Sequence, residues 1–146
     1  MAKSALTIAN AFIRLSEPDR GDELTNLKLQ KLLYYVQGFH LALYDSKLLE
    51  EGVYAWEHGP VVPEVYHAVK QYGSNTIEAP IALEHEEELE EEEMDLIGEV
   101  NEIYGQFSGW KLREMTHNES PWLETDKGEE ITGDKLKSFF RNLVQD

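Results

Sequence analysis

A chain of 146 residues with 41% hydrophobic residues is long enough to bury one core and too apolar to stay disordered, so its net charge of -16 belongs on the outside of a packed domain. Without cysteine, disulfides, thiolate-bound zinc and thiol nucleophiles are excluded together, as in proteins of a reducing cytosol. Against 29 Asp and Glu stand 13 Lys and Arg, a balance that repels the phosphate backbone of nucleic acid and attracts a basic protein.

The first residues lack the apolar region of a signal peptide, and no apolar run reaches membrane-spanning length. The expectation is a cytoplasmic protein with neither a membrane nor a nucleic acid as direct ligand. From Ser4 to Leu15 the residues Ala5, Ile8, Ala9, Phe12 and Ile13 recur at helical steps and predict a first helix with one buried face. Pro18 and Gly21 in "SEPDRGDE" predict its end. Thr25 caps a second, longer helix whose stripe runs through Leu29, Leu32, Leu33, Val36, Phe39, His40 and Leu43, long enough to be the central helix of the domain. Gly38 inside it costs about 1 kcal/mol against alanine and points to a close neighbour there.

In "KLLEEGVYAW" the runs Leu48-Leu49 and Val53 to Trp56 flank Glu50-Glu51-Gly52, which predicts a small hairpin with Gly52 at positive φ. Gly59 and Pro60 then bend the chain, and Pro63 starts a third helix with Val65, Ala68, Val69 and Tyr72 inward and Gly73 closing it. The acidic run from Glu84 to Asp95 reads as the first half of a fourth helix, since Leu89, Leu96, Ile97, Val100, Ile103, Tyr104 and Phe107 continue one stripe through and beyond it. Ser108 caps a short fifth helix through Trp110, Leu112 and Met115, which ends where Ser120 precedes Pro121. Thr132 caps the last helix, with Ile131 and Leu136 as a staple and Leu136, Phe139, Phe140 and Leu143 as the buried stripe. The sum is a mainly α, single compact domain of about six helices with a small two-stranded β-hairpin between the second and third.

Five histidines and many carboxylates raise the question of catalysis, but His40, His58, His67, His85 and His117 form no HExxH or other recognised ligand spacing. His40 lies on the apolar stripe as a core histidine, and His58 and His117 flank turns and are expected to bond backbone groups. No G-x-S-x-G occurs, and Gly59 is followed by a proline without an N–H, so no phosphate is cradled there. No catalytic residue, metal ligand or cofactor site is assigned.

Three stretches, "LTNLKLQKLLYYVQGFHLAL", "VYAWEHGPVVPEVY" and "MTHNESPW", occur in an order and spacing that resembles the Panacea domain of SocA-like antitoxins, a family that includes phage-associated GepA-type proteins. The resemblance runs from Ser4 to about Phe140 and implies one such domain over residues 1–146, a small helical protein-binding module. It implies a cognate protein toxin as partner, neutralised by direct binding, and an adaptor role toward an ATP-dependent protease such as ClpXP.

Aromatic residues are enriched in binding hot spots, and Lys28 and Lys31 make a local basic patch in an acidic chain. The candidate partner-binding residues are therefore Lys28, Lys31, Tyr34, Tyr35, Trp56, His58, Tyr66, His117 and Trp122, with Gly59, Pro60 and Pro63 as the structural turn. Two other readings stay open at this level: an acidic mimic of nucleic acid directed at a host protein, and a hydrolase using histidine and carboxylate.

Overall fold

The computed structural model describes residues 2–16 and 23–144; the helix-breaking role expected of Pro18 and Gly21 lies outside the described residues. Seven α-helices occur among them: α1 (Ala5–Leu15), α2 (Asn26–Tyr44), α3 (Pro63–Val69), α4 (Glu91–Tyr104), α5 (Gly109–Thr116), α6 (Ser120–Leu123) and α7 (Gly133–Val144). A three-stranded antiparallel sheet of β1 (Val53–Trp56), β2 (Gly59–Val61) and β3 (Glu130–Ile131) in the order β2-β1-β3 completes a mainly α domain. No helix among the described residues is long and apolar enough to cross a membrane.

Helix α2 is the axis. Thr25 Oγ1 accepts from the Lys28 N–H at 3.2 Å and caps it, and α1, α3, α4, α5, α7 and the hairpin all pack around it. Its burial is consequently not a stripe: Tyr34 and Tyr35, off the expected face, are fully buried, whereas Leu43, on it, is half exposed. Opposite Gly38 lies the ring of Phe140 on α7, so close that a Cβ at position 38 overlaps it. Glycine thus lets two helices approach within the thickness of one ring. Phe140 closes an aromatic cluster with Tyr34, Tyr35 and Phe39, with ring centroids 4.8 to 5.9 Å apart and steeply tilted planes. Burial of one such side chain stabilises the fold by about 1.5–3 kcal/mol.

The hairpin lies between the second and third helices, as expected, but uses other residues. Trp56 pairs with Gly59, Ala55 with Pro60 and Tyr54 with Val61, so Gly59 and Pro60 are strand residues and Glu57-His58 is the turn. Gly59 supplies the positive φ of 107° that follows this turn, while Gly52 does not adopt one. Pro60 is tolerated because β2 is an edge strand. The Leu48-Leu49 run instead meets the N-terminal segment, where the Lys3 N–H donates to Leu48 O at 2.7 Å and the Glu50 N–H to Lys3 O at 2.8 Å. Pro63 stands in the first turn of α3, and Val65 and Val69 are buried, as expected.

The acidic run also divides. Glu84 to Glu90 are not helical, and α4 begins only at Glu91, where the Glu90 N–H donates to Glu93 Oε1 at 2.8 Å. Glu87 accepts from the Ser4 N–H at 2.6 Å and Glu51 from the Ala5 N–H at 2.8 Å, satisfying two of the unpaired donors at the start of α1. Glu86 grips Arg14 through two bonds of 2.6 and 2.8 Å. These long-range partners hold the carboxylates in an extended segment along α1, where a helix would bring like charges together. At the far end of the α4 stripe Ile103 is more than half exposed. Beyond α5, Ser120 and Pro121 open the four-residue helix α6, where the sequence predicts an end: a first turn accepts proline.

Candidate functional site

A cleft of about 1100 Å³ opens between the start of α2, the β1–β2 turn, Tyr66 of α3 and the junction of α4 and α5. Five of the sequence-derived candidates line it: Lys28, Lys31, Trp56, His58 and Tyr66. They do not contribute alike. Lys31 has no exposed surface, and its ammonium donates to the carbonyl of Pro60 at 3.0 Å, fixing the edge strand to α2. Desolvation first, then the nearby charge of Arg113, lower its pKa to about 7. Lys28 is also buried and donates to Gly105 O at 2.6 Å at the end of α4. The basic patch expected of the two lysines is therefore not displayed: both ammonium groups serve backbone carbonyls inside the fold.

Tyr34 and Tyr35 are likewise removed from any surface. Both hydroxyls donate to the carboxylate of Glu119 at 2.8 Å, and Tyr35 stacks on Tyr104 with centroids 4.0 Å apart. Burial raises the pKa of Glu119, partly offset by the two tyrosine bonds, while burial and then the Glu119 charge raise those of the tyrosines. Glu119 joins α2 to the start of α6, and nothing in its local sequence marks it for that role. The signal was indirect: two adjacent buried tyrosines need an acceptor.

The two histidines divide as well. His117 Nε2 donates to Glu57 O at 2.9 Å, a bond to backbone as expected, and Trp122 Nε1 donates to Trp56 O at 2.8 Å. With its ring 4.1 Å from His117, Trp122 forms a brace that clamps the β1 end of the hairpin turn onto the segment after α5. His58 differs from the expectation, because its Nδ1 accepts from the side-chain Nε of Arg113 at 3.0 Å and no backbone group is involved. It is exposed on the cleft rim beside Trp110. Trp110 is not a core residue of α5: two-thirds of it is open, with the Arg113 guanidinium 5.0 Å from its ring centre. Trp56 and Tyr66, both half buried, meet edge to face at 5.1 Å on the opposite wall. His40 is the core histidine expected, with Nδ1 donating to Ser46 O at 2.6 Å. No group of three or more metal-ligating side chains is assembled among the described residues.

All three sequence stretches that suggested a family thus meet at α2: the helix itself, the hairpin with the start of α3, and the segment from α5 into α6. A family model described as antitoxin SocA-like, Panacea domain, matches residues 29–123. The chain belongs to that family. The match begins inside α2 and ends with α6, so it contains the hairpin, the tyrosine–Glu119 lock and most of the cleft walls, while α1 and α7 lie outside it. Membership of the Panacea family implies a toxin as partner in general. No curated protein and no solved structure matches the chain.

Proposed function

We propose that the chain is a non-enzymatic, cytoplasmic antitoxin that neutralises one cognate toxin by binding it directly. The observation that carries this reading is the family match across the segments that build the cleft. The chemistry around the histidines supports it. His40, His58 and His117 are engaged by Ser46 O, Arg113 and Glu57 O in supporting roles, and none has a carboxylate among its hydrogen-bond partners. The nucleic-acid mimic is less well supported, because Glu86, Glu87 and Glu93 of the acidic run are spent on Arg14, the α1 start and Lys3.

Co-expression tests the proposal. A gene adjacent to this one should encode a protein that stops growth alone and is tolerated when this chain is made with it; if no neighbour behaves so, the reading fails. Direct neutralisation further requires inhibition at near-equal stoichiometry with the toxin's half-life unchanged. A half-life that shortens only in cells with an active ATP-dependent protease such as ClpXP identifies the adaptor role instead.

A further inference from the structure

We infer that the cleft beside Trp110 is the docking surface for the toxin, and that it receives a positively charged, apolar-bearing segment of that protein. This rests on the antitoxin reading and adds to it the place and chemistry of contact. Three observations combine.

Two of the three lining lysines are withdrawn from the surface, since Lys28 and Lys31 are buried against Gly105 O and Pro60 O, while Arg113, half buried outside the lining, is engaged by His58 and the Trp110 ring. The carboxylates are not withdrawn. Glu57 on the hairpin turn and Glu102 at the end of α4 are exposed on the rim, as is Glu23, against Lys70 as the exposed lysine of the lining. Between them lie open aromatic surfaces, Trp110 above all, with Trp56, Tyr66 and Phe107 half buried nearby. An aromatic centre within a rim where exposed carboxylates outnumber exposed lysines three to one has the composition of a binding hot spot, and it favours a partner of positive charge. The chain's net charge of -16 acts in the same direction, drawing a basic partner in at long range, so the local and global fields agree.

The test uses the full-length chain and the purified toxic neighbour identified by co-expression, with affinity measured by calorimetry at low and high salt. Reversing the rim with Glu57→Lys and Glu102→Lys should weaken binding roughly tenfold or more and flatten its salt dependence. The same charge change made with Glu91→Lys and Glu92→Lys, exposed at the other end of α4 about 15 Å away, should alter affinity only two- to threefold, roughly the loss of general attraction. Trp110→Ala should also weaken binding roughly tenfold. Trp110, Glu57 and Glu102 have exposed side chains, so the far-UV circular dichroism and melting temperature of these variants should match the wild type. The inference is overturned if the remote pair weakens binding as much as the rim pair, if Trp110→Ala has no effect, or if the toxin segment seated in the cleft is acidic. Absence of any neutralised neighbour is a different result and sinks the antitoxin reading itself.

Discussion

The two sides of α2 are held by different physics. Toward α7 the contact is apolar and aromatic, with Phe140 seated over Gly38 and the rings of Tyr34, Tyr35 and Phe39 around it. Toward the hairpin and the Leu48-Leu49 segment the same helix sends buried polar side chains to backbone groups: Gln30 Oε1 to the Val62 N–H at 2.8 Å, Gln37 Oε1 to the N–H groups of Leu48 and Leu49 at 2.9 and 3.0 Å, and Lys31 to Pro60 O. A neighbouring helix has satisfied its own backbone and asks only for close packing. A short strand or a loop brings unpaired N–H and C=O groups inward, and these must find partners.

The largest effect should come from the packed side. Phe140→Ala removes a fully buried ring and should lower stability by about 3–5 kcal/mol in urea unfolding. Gly38→Ala should destabilise the wild type by about 1–3 kcal/mol through overlap with that ring, yet be far milder in a Phe140→Leu background. Additive effects of the two substitutions would mean that the contact is not what demands glycine.

On the polar side, Gln37→Ala leaves the N–H groups of Leu48 and Leu49 without their acceptor and should cost about 2–4 kcal/mol. Hydrogen exchange would localise the loss: faster exchange at residues 48 and 49 with α7 unchanged is the expected pattern. The same exchange rate for the whole chain would mean that the two sides unfold as one.

The third effect is one of pH. Burial makes the folded chain hold the Lys31 proton less tightly than the unfolded chain, where the ordinary value is 10.5. Stability should therefore rise with pH between about 7 and 10.5, and that contribution is lost as pH falls through about 7. Lys31→Met should remove this slope while also breaking the bond to Pro60 O, so the wild type gains on the variant across the window. Parallel curves for the two proteins would contradict it.

Features decided within a few residues were legible in the sequence. Thr25, Ser108 and Thr132 each accept the N–H three residues on, and Gly38 announced a close neighbour. Features decided by distant partners were not. The Glu84–Glu90 segment carries helix-forming residues and lacks a breaker, but its carboxylates are claimed by Ser4 and Arg14 across more than seventy residues. Periodicity assumes a helix with one wet face, which fails for α2 because neighbours surround it; hence Tyr34, Tyr35 and Lys31 looked available for a partner and are core. The cleft was half visible for the same reason. Trp56, His58 and Tyr66 were legible as a cluster at one turn, whereas the exposure of Trp110 depends on how α5 is set against that turn.

The brace between His117, Trp122 and the turn has a consequence for anyone who would transplant the hairpin. Residues 53–66 look like a portable motif, but the carbonyls of Trp56 and Glu57 are answered from residues 117 and 122, and Pro60 O from residue 31. A graft that carries the hairpin alone leaves these acceptors, together with Ala55 O and the N–H groups of Ala55 and Val62, which are answered by Gly128, Glu129 and Gln30, to be satisfied by the new host. The transferable part is the hairpin with all of its distant supports.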